Sequence, residues 1–496
     1  MVGNDFRITI RCQGHVGCEN NNNNNNNNKS QKQNLFYLRA YGPSVIAGKF
    51  MNGDGGDYVL QFHFLDPGVY TVEAIMTFSN TPSFDQYPLR SDIHTNEPYY
   101  EGYSLPGFPL QVRVSSSSDS SSFSSSSSFD SSLSSSHSQL QPQQEVEDAQ
   151  QRYCSSFELT EQSSSSALRK ARWKVKSKTN MPGYTSGTID YPISEDGYKH
   201  NIHSIGIQMT YEYTNCTLLP KSVFSKRQGK NNPFYQCGGA SSGSDQQQQQ
   251  QKRKKKLIVI YIGDSVMRIQ RNMFDGYIKS LDKDVITVKT VMIELYTGYR
   301  RCEKLVGPNI RTSLQELEQQ YANDDMVILF NTGLHDIHRL CGQEFAKDRY
   351  EYLTDKKAEL TLGTFQCVEE YRTLLQEFVS LIRDFPAQLR VFQSTTAGWP
   401  KYGNYNVGWP YHRGQNLPLS PDIVSHFNEI AYDEISSQEV DNRKHQIHIM
   451  DGYWITYSRP DNREVGDIGH KLSHPGLEVQ SAMVKIWIML LLEKMC

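Results

Sequence analysis

The sequence has no Cys-x-x-Cys pair and no dense cluster of cysteine with histidine, so a zinc site is not expected and no metal is assigned. No apolar stretch is long enough to cross a bilayer; the longest candidate, Ile486 to Leu492, is far too short. Met1 to Ile10 lacks the apolar core of a secretion signal. Neither sign of charge dominates. The 51 basic and 54 acidic residues leave a formal net charge of −3, which supplies no broad field for nucleic acid or an acidic membrane.

What is present is length, aromatic residues and biased tracts. At 496 residues the chain exceeds one ordinary domain. Its 29 Tyr and 21 Phe suit packed β structure first, and sugar-facing surfaces second. Asn20–Asn28 is pure Asn, Ser115–Ser136 is mostly Ser and Gln246–Gln251 is pure Gln. Such tracts bury too little apolar surface to offset chain ordering, so they are expected as disordered loops or linkers that separate folded units. They divide the chain into residues 5–114, a linker over 115–152, an approach segment over 153–256 and a C-terminal domain over 257–496.

In the first unit, Leu35–Ala40, Tyr58–Phe64, Tyr70–Phe78 and Leu110–Val114 read as short strands separated by Gly, Pro, Asp and Asn, the pattern of a β-sandwich. Asp54-Gly-Gly-Asp-Tyr-Val-Leu-Gln-Phe, then Asp66-Pro-Gly-Val-Tyr-Thr-Val, resembles the paired strands of filamin-type immunoglobulin-like repeats, with Gly107-Phe-Pro-Leu-Gln-Val as their closing strand. The poly-Asn tract is then expected as an expanded hairpin loop between the first two strands. In the approach segment, Cys216 and Cys237 flank a basic loop, and a disulfide between them suits a secreted chain. Sequons at Asn28 and Asn215 matter only in that setting.

From Leu257 the pattern changes to apolar strands alternating with amphipathic helices. Strands are expected at Leu257–Ile262, Val285–Leu295, Met326–Phe330, Leu389–Ser394 and Gln446–Met450. Helices are expected near Thr312–Tyr321, Phe365–Arg383, Asp422–Ile435 and Leu477–Lys494, with another following Ser265. This predicts an α/β three-layer sandwich on a parallel sheet, whose ligands sit at the carboxyl ends of the strands.

Ile262-Gly-Asp-Ser-Val-Met-Arg268 lies at such an end, where a serine hydroxyl entering a helix can act as nucleophile. Asp264 and Ser265 equally suit an ordinary helix cap. Near the other terminus, Asp467-Ile-Gly-His470 offers an imidazole oriented by a carboxylate. His470-Lys-Leu-Ser-His474 supplies a second imidazole, so His474 stands as the alternative base. Asn331-Thr-Gly-Leu-His-Asp336 follows the central strand.

An early G-D-S-x-x-R with a late D-x-x-H resembles the PC-esterase branch of the SGNH (GDSL-like) hydrolases. That branch includes plant polysaccharide O-acetyltransferases and the neurexophilin-and-PC-esterase-domain (NXPE) proteins, which share the immunoglobulin-like domain placed ahead of the catalytic one. The resemblance implies Ser265 as nucleophile, His470 as base and Asp467 as its carboxylate. It further implies Asn331, Gly333 and His335 as oxyanion or site-lining groups, and Arg268 as a steering residue. The second glycine block of many SGNH enzymes has no single counterpart here; Gly298 and Gly307 both fit. The implied reaction is serine-dependent transfer of an acyl group, chiefly acetyl, between an ester donor and water or a glycan hydroxyl, without a cofactor. The implied setting is the Golgi lumen or the cell exterior, with a protein partner for the N-terminal domain. The alternative from another class is a catalytically silent glycan- or protein-binding adhesion protein. Nuclear import through Lys252-Arg-Lys-Lys-Lys256 is a weaker reading, since a basic run beside poly-Gln is usually a solvated loop.

Overall fold

The computed structural model describes residues 2–3, 5–11, 32–52, 57–82, 99–116, 152–161, 167–177, 208–219, 256–279, 287–295, 310–332, 367–397, 421–437, 445–459 and 474–495. The Asn and Gln tracts, the Ser tract beyond Ser116, Cys237, Gly298, Gly307, Gly333, His335, Asp467 and His470 lie outside them.

The N-terminal half forms a curled antiparallel sheet of nine strands: β1 (Asp5–Ile10), β2 (Lys32–Tyr41), β3 (Ser44–Asn52), β4 (Tyr58–His63), β5 (Gly68–Pro82), β6 (Tyr99–Ser104), β7 (Leu110–Val114), β8 (Ala171–Ser177) and β9 (Gln208–Tyr213). β3 belongs to both sides of the curl. Its Val45–Ala47 pairs with β2, and its Gly48–Asn52 pairs with β4. Gly48 marks the change, because a Cβ there would lie 2.5 Å from the Phe62 ring and 2.8 Å from Leu38 Cβ. Alternate strand residues close an apolar core of Phe36, Leu38, Ile46, Leu60, Phe62 and Tyr70.

Two expectations are corrected here. β1 pairs with β4, whereas β2 lies between β3 and β5, so the poly-Asn stretch does not connect a hairpin. Asp5 helps hold that pairing by accepting from Gln61 Nε2 and contacting His63 Nδ1 at 2.9 Å, contacts that the alternation pattern of the strands does not reveal. Second, Cys216 is bonded to Cys154 and not to Cys237. The backbone places the pair together: Cys154 N–H donates to Thr217 O and Thr217 N–H donates to Arg152 O.

The approach segment is part of the sheet as well as a bridge from it. β8 pairs with β3 through Val45↔Trp173, and β9 pairs with β8. Ahead of them, α1 (Ser156–Leu159) rests on the end of the last helix, where Ser156 Oγ donates to Glu493 Oε1 at 2.7 Å. Thr160 then bridges to Met450.

The C-terminal half is a parallel five-stranded sheet built from β10 (Lys256–Gly263), β11 (Thr287–Glu294), β12 (Asp325–Phe330), β13 (Leu389–Gln393) and β14 (Ile447–Met450). Their spatial order is β11-β10-β12-β13-β14. The helices, after the short α2 (Ala167–Lys170), are α3 (Ser265–Ile278), α4 (Ile310–Gln320), α5 (Cys367–Asp384), α6 (Pro421–Ser437), α7 (Tyr453–Tyr457) and α8 (Leu477–Met495). Pleating sends successive side chains to opposite faces. Ile258, Ile260 and Ile262 of β10 therefore join one core with Leu314, Phe378 and Phe427, from α4, α5 and α6. Leu257, Val259 and Tyr261 join a second core with Phe274 and Trp487, from α3 and α8. This burial on both faces explains why β10 is an unbroken apolar run. Among the described residues, no helix is long and apolar enough to cross a membrane.

The two halves share these cores. Leu35, Tyr37 and Ala47 belong to the first cluster, and Tyr41, Val45 and Trp173 to the second. Tyr37 donates its hydroxyl to Tyr457 O at 3.0 Å, and Leu38 N–H donates to the Tyr457 hydroxyl at 3.0 Å. Trp173 donates its indole N–H to Ile455 O at 2.9 Å, while the Arg459 guanidinium stacks 4.7 Å over its ring.

Candidate active site

The chain leaves β10 through α3 toward β11 on one side, then returns through α4 to β12 on the other. The strands β10 and β12 stay paired to their carboxyl ends, and the chain leaves them toward opposite faces of the sheet, the switch point at which doubly wound sheets place ligands. Gly263-Asp264-Ser265 occupies the β10 side and Asn331-Thr332 the β12 side.

Gly263 is needed for close approach. Its carbonyl accepts from Leu295 N–H at 2.7 Å, and a Cβ would fall 2.3 Å from Met267 Cγ. Asp264 is the helix cap: buried at 3 % exposure, it accepts from Val266 N–H at 2.9 Å. With that role filled, Ser265 is left as the first residue of α3, partly exposed, and its Oγ lies 2.7 Å from His474 Nε2. The hydroxyl donates in this contact when the ring carries its proton on Nδ1.

His474 stands just ahead of α8, at a bend followed by Pro475 and Gly476. The spacing argument favours His470 with Asp467, but both lie outside the described residues; the imidazole on Ser265 is that of His474. The sequence offers two imidazoles four residues apart, and the packing of α8 on α3 brings that of His474 to Ser265. That packing includes Tyr277 Oη to Ser481 Oγ at 3.0 Å and Gln270 Nε2 to Met483 Sδ at 3.7 Å.

The side chains of Asn331 and Arg268 have partners of their own. Asn331 is buried, and its amide donates to Gln393 O at 2.6 Å and reaches Thr395 Oγ1 at 3.3 Å, tying the ends of β12 and β13 together. Gly333 and His335 lie outside the described residues. Arg268, one helical turn beyond Ser265, forms an ion pair with Glu294 at the end of β11.

Asp451 follows β14 directly and was not foreseen. It is buried, accepts from Trp454 N–H at 2.9 Å and Ile455 N–H at 3.0 Å, and so caps α7. Burial raises its carboxyl to about 6 against the pull of those amides. Nearby, burial outweighs the attraction of Lys170 and raises Glu161 to about 8. Among the described residues, no group of three or more His, Cys, Asp or Glu could hold a metal ion. No protein-family model matches the chain, and no curated protein matches it.

Proposed function

We propose that the chain is a serine-dependent acyl-ester enzyme of SGNH type, in which Ser265 is the nucleophile and His474 the base. The observation that carries this reading is the 2.7 Å Ser265 Oγ to His474 Nε2 contact at the switch point of the parallel sheet. A helix cap alone does not call for it, because Asp264 already caps α3. Order along the chain supports the same reading, with the serine after the first parallel strand and the histidine before the last helix.

In the reaction, Ser265 Oγ attacks the ester carbonyl carbon as its proton passes to His474 Nε2. Collapse of the tetrahedral intermediate breaks the bond to the alcohol oxygen, which leaves with that proton. Water or a sugar hydroxyl then attacks the acyl-serine, gives its proton to His474, and restores Ser265. The acyl group is proposed to be acetyl and the acceptor a glycan, with the antiparallel unit read as immunoglobulin- or filamin-like. The Cys154–Cys216 disulfide supports a secretory setting.

Hydrolysis of p-nitrophenyl acetate, followed together with the mass of the intact protein, tests this. Wild type is expected to gain one acetyl mass. Ser265→Ala and His474→Ala are each expected to lose serine-dependent turnover by about 10³-fold or more. His470→Ala should retain most of it; the opposite ranking of the two histidines would return the base to His470. Absence of any adduct from folded wild type, with acetylated glycans also tried, would favour a binding protein.

A further inference from the structure

The bend that carries His474 is held from inside the fold. α8 is otherwise apolar over its buried length, with Val479, Ala482, Met483, Val484, Ile486 and Trp487 among its buried residues. Within that series stands Gln480, 2 % exposed, whose amide nitrogen donates to the carbonyl of Pro475. Pro475 precedes the helical ladder, in which Gln480 N–H goes to Gly476 O at 2.9 Å. The Gln480 side-chain Oε1 has no partner among the described residues. Leucine or methionine would fill such a place without a buried, unmatched acceptor. The amide donation to Pro475 is what the glutamine adds.

We propose that Gln480 is a positioning residue for His474. The pyrrolidine ring fixes φ at Pro475. Gln480 pins the carbonyl of the same residue to a helix that is itself packed against the serine-bearing α3. Pro475, the residue that follows His474, is thereby held at both of its rotatable backbone bonds, and Nε2 is kept within reach of Ser265 Oγ. This inference rests on the Ser265–His474 reading. Reaction geometry is sensitive at this scale: a displacement of about 1 Å can cost about 100-fold in rate.

The test uses the full chain, with a fluorophosphonate probe reporting the reactivity of Ser265 and p-nitrophenyl acetate reporting kcat and KM. In Gln480→Leu the phosphonylation rate constant and kcat should fall by about 10- to 100-fold, with KM within about twofold. Gln480→Glu keeps the shape and donates only while its carboxyl is protonated. Its rate relative to wild type should be highest at acid pH and fall as pH rises, a dependence that a space-filling role would not produce. Should both variants keep wild-type kcat and an unchanged pH profile, or change KM alone, the inference is overturned while the dyad stands. If wild type itself is not phosphonylated, the dyad reading fails first and this inference falls with it.

Discussion

Replacing Trp173 with phenylalanine should destabilise both halves of the protein at once. Trp173 is 1 % exposed on β8 of the antiparallel sheet, yet its indole N–H donates to Ile455 O on α7, its ring carries Arg459, and Tyr211 lies 5.2 Å away. Phenylalanine keeps a six-membered ring and removes the donor, leaving the Ile455 carbonyl buried without this partner, at about 1–3 kcal/mol. The smaller ring also weakens the stacked guanidinium by about 0.5–1 kcal/mol and leaves a void costing about 1 kcal/mol. Together these amount to about 2.5–5 kcal/mol, a large part of the stability of an ordinary domain. Urea unfolding followed by far-ultraviolet circular dichroism and by tryptophan fluorescence would measure it. Because the core clusters mix residues of both halves, the two signals should move together in wild type and shift together in the variant. Two separated wild-type transitions, or a loss below about 0.5 kcal/mol in Trp173→Phe, would refute this account of the joint.

Two further outcomes concern stability. Glu161 has its carboxyl raised by burial to about 8, so the folded state holds a proton that the unfolded chain releases near its ordinary value. Its contribution is present below about pH 4.5, declines by up to about 1.4 kcal/mol per pH unit through the interval, and is gone above about pH 8. Glu161→Gln should therefore flatten the fall in stability between pH 5 and pH 8.5 seen by urea unfolding; an unchanged slope would place the proton elsewhere. Replacing Cys154 and Cys216 together by alanine opens a loop closed across 62 residues. By chain entropy this should cost about 4 kcal/mol in urea unfolding under non-reducing conditions, and reductant should then leave the variant unaffected.

The α/β half was legible because both of its faces are buried. Continuous apolar runs such as Leu257–Ile262 and Met326–Phe330 mark strands covered on two sides, and the helical spacing between them leaves one economical arrangement. The serine was legible for a related reason: a glycine-containing turn at the end of such a run sets the next residues at a helix start. The antiparallel half was less so. The strand pattern does not reveal β1, β3 or β6; β1 alternates between exposed and half-buried positions, and β3 divides its pairing between β2 and β4. Strands β8 and β9 come from a stretch whose apolar residues face the other half of the molecule, so their role depends on contacts far along the chain.

The sequence by itself determined the alternation of strands and helices, the place of Ser265 at the carboxyl edge of β10, and the presence of a late histidine pair. Local propensity and periodicity suffice for these, because each is settled within one or two elements. Tertiary structure alone decided that His474 meets the serine, that Cys154 is the partner of Cys216, and that Asn331 and Arg268 are tied to Gln393 and Glu294. Each of these joins residues brought together only by packing, and spacing along a chain does not encode the distance between helices that have yet to meet.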